Sequence, residues 1–173
     1  MISKTKDEID CKNTILLIQA AAGGEEAEIF ASELLRIYLK YADKKGWHLQ
    51  IIGCTTSSGD GYKNVVLNLS GNGLYDRFKH ESGIHSARRV PDNESSNRAH
   101  NSTAVVSVIP LQNDIDLEKL KQQDISVLKK LQDRAIDCNI KIRTYDYADN
   151  HVTDHRSNKS FSLKRVLEGD LDW

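Results

Sequence analysis

The sequence contains few cysteines, and those it has are far apart. Cys11, Cys54 and Cys138 are odd in number and have no short spacing between them, which fits neither a disulfide framework nor paired metal ligands. No stretch approaches the roughly 18 consecutive apolar residues of a membrane span. Residues 1–13 are charged and lack the apolar centre of a signal peptide. We therefore expect a protein of the reducing cytoplasm.

A large net charge and the familiar catalytic spacings are also missing. The 24 Lys and Arg residues balance 25 Asp and Glu residues, so there is no overall basic field to attract nucleic acid. The six histidines show no metal-binding spacing. Neither a phosphate-binding loop nor a serine nucleophile elbow is present. The residues alone indicate no catalytic centre, and we predict neither a metal nor a cofactor.

The chain does contain two long helical patterns and several short apolar runs. Residues 14–21 form an apolar run that ends in glycines, which predicts a buried strand. Between 25 and 45, apolar residues recur every three or four positions, with glutamates in the first turn and lysines in the last. This pattern predicts a helix that stops at Gly46. A second long helix is predicted over 117–138.

The remaining apolar runs are short and are separated by turn residues. They predict strands at 47–58, 63–71, 84–90, 102–110, 140–147 and 151–156, with short helices near 73–82 and 162–167. Between the strands at 84–90 and 102–110 lies the most polar connection of the chain. The pattern predicts an α+β fold, with a mostly antiparallel sheet flanked by the two long helices.

Positive and stacking-capable side chains concentrate between residues 77 and 100. This basic stretch contains Arg77, Lys79, His80, His85, Arg88, Arg89, Arg98 and His100. Arginine and histidine planes beside Asn and Ser donors are used to recognise single-stranded RNA. A solvated basic face would have the same composition, so both interpretations stay open at this point.

Several sequence blocks, in order, resemble the bacterial class I peptide chain release factors. They read GGEEAEIFASELLRIY, GDGYKNVVLNLSG, FKHESGIHSARRVP, ESSNRAHNSTAVVSVIP and, after a gap, IRTYDYADNHVTDHR with LKRVLEGDLD. The resemblance implies the codon-recognition superdomain of that family, which lies in the ribosomal A site. It implies a polar leader at 1–13, a codon-recognition part at 14–112 and a C-terminal lobe at 113–173. Its implied partners are the ribosome and mRNA, with a role in translation termination or ribosome rescue.

The catalytic element of that family is missing from this sequence. The family carries its hydrolytic Gly-Gly-Gln loop on a domain between the block that ends in VVSVIP and the block that begins with IRTYDY. This chain has only about thirty residues there. The one Gly-Gly pair here, Gly23-Gly24, is followed by Glu25. The resemblance therefore implies a protein that does not hydrolyse peptidyl-tRNA unaided, with catalysis supplied, if at all, by a separate Gly-Gly-Gln protein.

The resemblance also carries over individual codon-reading residues. The glycine and glutamate that read the first uridine correspond to Gly23 and Glu26, and the histidine on which a base stacks corresponds to His100. The family's Pro-X-Thr tripeptide corresponds to Pro91-Asp92-Asn93. Arg98 lies in the same polar connection and is a further candidate for RNA contact.

Three polar reading positions differ from the family. Asn93 and Asn101 stand in place of threonines, and Arg88 stands in place of a glutamine. A threonine hydroxyl either donates or accepts, an asparagine amide has fixed donor and acceptor ends, and an arginine accepts nothing. We therefore expect an altered or relaxed codon preference. The alternative is a ribosome-independent module that binds RNA or a protein on the same superdomain.

Overall fold

The computed structural model describes residues 13–57, 59–90, 99–111, 118–119 and 139–172. Its strands are β1 Asn13–Ala20, β2 His48–Thr56, β3 Tyr62–Ser70, β4 Gly83–Arg89, β5 His100–Leu111, β6 Lys141–Asp146, β7 His151–Asp154 and β8 Lys159–Ser162. Its helices are α1 Glu25–Lys45, α2 Leu74–Phe78 with a 3-10 turn Lys79–Glu81, and α3 Leu163–Leu167. None of the helices in these ranges is long and apolar enough to cross a membrane.

All eight strands belong to one mixed sheet in the order β2-β3-β1-β5-β4-β6-β7-β8. Neighbouring strands are antiparallel except β4 and β6, which run parallel, with His85 opposite Arg143 and Arg88 opposite Asp146. This one parallel pairing joins the C-terminal strands to the N-terminal ones. Consecutive apolar residues of β1 and β5 are buried, so these strands have buried side chains on both faces of the sheet.

Helix α1 covers one face of the sheet. Its inner residues recur every three or four positions and include Phe30, Leu34 and Tyr38, which are fully buried. The ring of Phe30 meets Tyr145 of β6 edge to face, with centroids 5.3 Å apart, and such a pair adds about 1 kcal/mol to its burial. The helix ends at Gly46, whose φ of 72° is the left-handed conformation of a C-cap.

The C-terminal segment of the chain packs against the C-terminal half of α1. Lys40 donates from Nζ to the carbonyl of Leu167 at 3.2 Å, and Tyr41 donates to Asp172 at 2.9 Å. A Cβ at Gly169 would lie 2.6 Å from the Cβ of Lys40. Helix and segment are therefore in direct backbone contact, which only glycine permits here.

The α+β class and the long helix over 25–45 are confirmed. The strand β8 was not predicted, because Lys159–Ser162 holds a single apolar residue and shows no clear alternation. The second predicted long helix, 117–138, lies outside the described residues except for Glu118 and Lys119, which are helical. The division of the chain at residues 13 and 113 stays a prediction.

Candidate functional site

Five of the predicted reading residues meet at one end of the sheet. Gly23 and Glu26 lie between the end of β1 and the first turn of α1, while Arg88 lies near the end of β4. His100 and Asn101 begin β5, where Arg88 is directly opposite Asn101. We call these five residues the tip cluster. The other predicted readers, Pro91, Asp92, Asn93 and Arg98, lie outside the described residues.

The turn before α1 is bound to β5 by its backbone. The Ala21 N–H donates to the Thr103 carbonyl and the Thr103 N–H donates to the Ala22 carbonyl, both at 2.8 Å. Gly23 follows with φ of +126°, and a Cβ there would lie 2.7 Å from the Cβ of Ser102. The turn therefore approaches the strand as closely as it does because residue 23 has no side chain.

The first turn of α1 is also packed against the connection between β2 and β3. The Ser57 hydroxyl donates to the Glu28 carboxylate. A Cβ at Gly61 would lie 2.4 Å from the carbonyl carbon of Glu28. The glutamates of this turn, which include Glu26, lie at the positive end of the helix dipole, where negative charge is stabilised. The helix tip is thus held on two sides.

Arg89, next to Arg88 in β4, contacts the helix tip directly. Its Nε donates to Oε2 of Glu26 at 2.9 Å, and its Nη1 donates to Oε1 of Glu33 at 2.9 Å. From the sequence alone, Arg89 belongs only to the basic stretch and has no predicted partner. The contact joins residues 63 positions apart, and only the folded structure brings them together.

Arg88 projects to the opposite face of the sheet, as alternation along a strand requires. Its Nη1 donates to Oδ2 of Asp146 at 3.2 Å. Although burial raises the pKa of Asp146, the N–H of Asp149 and the Arg88 guanidinium hold that pKa below its ordinary value. The Arg88 side chain is therefore half-exposed and already ion-paired.

One group among the described residues has the proximity of a metal site. Ligand atoms of Asp146, Asp149 and His151 lie within 4.8 Å of one another. The carboxylate of Asp146, however, already accepts from Arg88 and from the backbone N–H of Asp149, at 3.2 and 3.1 Å. These contacts account for the arrangement of the group without an ion, and we assign it no metal.

His85 is buried, so its place in the predicted basic face was wrong. It alternates with Ser86 along β4 and points toward α1, where it is fully buried. Its Nε2 lies 2.9 Å from the carbonyl of Glu81 and its Nδ1 lies 3.2 Å from the hydroxyl of Tyr145. The carbonyl requires a proton on Nε2, so Nδ1 accepts from Tyr145. This histidine does not reach RNA.

A buried ion pair lies beside His85. Arg143 of β6 donates from both terminal nitrogens to the Glu81 carboxylate at 2.8 and 2.7 Å, and it is 2% exposed. Its Nη2 also lies 3.5 Å from Asp154. Although burial raises the pKa of Glu81, the Arg143 charge and hydrogen bonds hold it below its ordinary value. The pair joins the 3-10 turn to β6, and no local pattern in the sequence predicts it.

Protonation of His85 is expected to destabilise the fold in acid. Burial and the positive charge of Arg143 lower the pKa of His85 from 6.5 to about 4. Between these pH values the unfolded chain binds a proton that the folded chain refuses, so stability falls as pH falls. The loss approaches roughly 3 kcal/mol at the lower value. Urea unfolding across this range should show it, and a His85→Gln variant that keeps the full wild-type slope would contradict the assignment.

Comparison with known proteins places this architecture in a family. The PCRF domain matches residues 2–106. Peptide chain release factor 1 of Aquifex aeolicus is 34% identical over 235 residues, which cover 96% of this chain and 65% of that protein. The same factor of Caldicellulosiruptor bescii is 45% identical over 235 residues, covering 96% and 66%. This chain therefore spans about two thirds of the length of these relatives.

A solved structure has the same fold. RF2 of Thermus thermophilus superposes with a TM-score of 0.75 at 24% identity, covering 92% of this chain and 65% of that one. At this identity the likeness shows the fold alone. The sequence matches go further, because the PCRF domain covers more than half of the 173 residues. The chain therefore belongs to the peptide chain release factor family.

Proposed function

We propose that this protein binds the ribosomal A site and contacts the mRNA codon with its tip cluster. One observation carries the proposal. The turn at Gly23 and the start of β5 at His100 and Asn101, about 77 positions apart in sequence, form one continuous surface at the end of the sheet. The close packing of Gly23 on Ser102 fixes this surface.

The groups on that surface suit an unpaired nucleotide. Glu26 offers a carboxylate acceptor, Asn101 an exposed amide that donates and accepts, and His100 an exposed ring for stacking. Donors, acceptors and a stacking plane at one edge are the features by which proteins read single-stranded RNA.

We further propose that the protein does not hydrolyse peptidyl-tRNA. The sequence contains no Gly-Gly-Gln, and about a third of each relative's length lies outside the matched region. A protein of this kind would occupy the A site in the cytoplasm and compete with complete release factors. It would thereby modulate termination, or act in ribosome rescue with a separate Gly-Gly-Gln protein as partner.

Co-sedimentation with 70S ribosomes tests the proposal. The protein is expected to pellet with ribosomes that carry a stop codon in the A site, and His100→Ala is expected to weaken binding about tenfold, because base stacking on a ring is worth about 1–3 kcal/mol. Failure of the wild-type protein to pellet would overturn the proposal. Peptide release by this chain alone would overturn its non-catalytic part.

His48→Ala is the matched control for His100→Ala. His48 is also exposed at the start of a strand. It pairs with Ser70, which lies opposite the first residue of β1, whereas the tip cluster lies at the last residue of β1. Its substitution should leave ribosome binding unchanged. Equal binding to free RNA hairpins and to ribosomes would favour the alternative, an RNA-binding module independent of the ribosome.

A further inference from the structure

Arg89 connects the helix tip to the end of β4. Its side chain is 18% exposed, and the guanidinium donates to Glu26 through Nε and to Glu33 through Nη1, each at 2.9 Å. Residues seven positions apart lie on one face of a helix, two turns from each other. One planar side chain therefore spans two turns of α1 from the neighbouring strand, a contact that the fork geometry of arginine permits.

Tyr147, which follows β6 directly, contacts the Arg89 guanidinium with the face of its ring. The guanidinium carbon lies 5.5 Å from the centre of the Tyr147 ring, a distance at which the cation is attracted to the ring face. The Tyr147 hydroxyl donates to the Glu33 carboxylate. Burial and the Glu33 charge raise the pKa of Tyr147 well above its ordinary value, so it remains a donor. The orientation of Arg89 is thus determined independently of Glu26.

The two carboxylates bound to Arg89 are not equivalent. Glu33 accepts from both Arg89 and Tyr147. Glu26 accepts from Arg89 through Oε2 alone, and in the ranges that the structure describes no donor lies at its Oε1. Glu26 is also the outer of the two, in the first turn and 26% exposed. One of its oxygens is therefore bound by Arg89, while the other has no donor among the described residues and belongs to a partly exposed side chain.

The group formed by Arg89, Glu26 and Glu33 keeps a net negative charge, which attracts a hydrogen-bond donor. Burial disfavours the Arg89 cation, but the charges of Glu33 and Glu26 and their hydrogen bonds raise its pKa above the ordinary value. One cation thus faces two carboxylates. An ionised carboxylate oxygen only accepts hydrogen bonds, so the complementary group is an N–H on the Watson–Crick edge of a base, such as the imide N–H of uracil.

We propose that Arg89 is a positioning residue, which holds Glu26 so that Oε1 accepts from the base at the first codon position. This inference rests on the proposed function. Arg89 touches no RNA in this scheme and acts only through Glu26. Glu33 and Tyr147 act one step further away, because they fix Arg89. The role requires the two-pronged fork of arginine, which the single ammonium of lysine does not reproduce.

Arg89→Lys tests the inference through a ratio of affinities. Binding is measured to ribosomes with UAA or CAA in the A site, and the wild-type protein is expected to prefer UAA. Arg89→Lys is expected to reduce this preference about tenfold, which lies within the range of coupling between contacting residues. Because both codons are offered to one protein sample, a loss of folded protein lowers both affinities and leaves the ratio unchanged.

A double-mutant cycle separates positioning from other effects. In a Glu26→Gln background, Arg89→Lys is expected to change the ratio no further. Arg165→Lys is the matched control and should keep the wild-type ratio. Arg165 is an exposed arginine of α3 that pairs with Asp170. A further loss in the Glu26→Gln background would overturn the inference.

The outcomes distinguish this inference from the proposed function. A wild-type protein that discriminates UAA from CAA, together with an Arg89→Lys variant of unchanged ratio, overturns the positioning role and leaves the proposed function standing. A wild-type protein that binds ribosomes without discriminating the two codons overturns the inference alone. A wild-type protein that does not bind ribosomes overturns both.

Discussion

Replacing Glu81 by glutamine is expected to lower the free energy of unfolding by about 3–5 kcal/mol, the cost of removing one partner of a buried ion pair. The glutamine amide keeps one acceptor oxygen, so Arg143, which is 2% exposed, would lose one acceptor and the negative charge that compensates its own. Asp154, 3.5 Å from its Nη2, is also paired with Arg156 and does not replace that acceptor. Urea unfolding followed by circular dichroism measures the change.

A surface pair provides the control for this prediction. Asp76 and Lys79 form an ion pair at 3.5 Å, with side chains 69% and 37% exposed. Asp76→Asn is expected to change stability by less than about 1 kcal/mol. If Glu81→Gln is as mild as Asp76→Asn, the buried pair does not contribute as inferred. Replacing both Glu81 and Arg143 by apolar residues of similar volume should recover much of the loss, because no buried charge then remains.

Substituting alanine for Gly23 is expected to cost about 3 kcal/mol of stability and to abolish most of the ribosome binding. The φ of +126° is strained for any residue with a side chain, and the new Cβ would lie 2.7 Å from the Cβ of Ser102. Either the helix tip or β5 must shift, which separates Glu26 from His100. Urea unfolding and ribosome co-sedimentation measure the two effects.

Gly53→Ala is the matched control for Gly23→Ala. Gly53 lies in β2, where an added Cβ meets nothing within 4 Å, so alanine should be neutral or slightly stabilising. Ser102→Gly in the Gly23→Ala background should restore part of the stability, since it removes the closest contact, with the Ser102 Cβ, but neither the contact with the Cα of residue 102 at 3.0 Å nor the strain in φ. A Gly23→Ala protein that loses stability yet binds ribosomes normally would exclude the tip cluster from binding.

Local signals made α1 predictable over its whole length. Glutamates at its start, lysines at its end and Gly46 after it all lie within or next to the segment they define. The strand β8 had no such signal. Its pairing with β7 arises from the turn between them and from Phe161, opposite Val152. A polar strand at a sheet edge is specified by its neighbour more than by its own sequence.

The site was predictable only where a resemblance or a local motif marked it. Gly23, Glu26 and His100 were predicted in this way and stay predictions, whereas the Arg89 contact with Glu26 depends on which face of β4 each arginine occupies. The same alternation explains the error at His85, which shares the inner face with Ala87 and Arg89. Read along β4, this two-residue period could have separated the inward histidine from the outward Arg88.

The parallel pairing of β4 with β6 also has a consequence for synthesis of the protein. Translation proceeds from the N-terminus, so β1 to β5 leave the ribosome before β6, which follows about thirty residues later. Until then β4 is paired with β5 on one side only, and its other edge is open to pairing with other chains. Glu81 has no Arg143 to pair with during the same interval. The nascent chain therefore passes through a stage in which one edge of β4 is exposed and the Glu81 carboxylate lacks its ion-pair partner. The docking of β6 covers that edge and supplies Arg143.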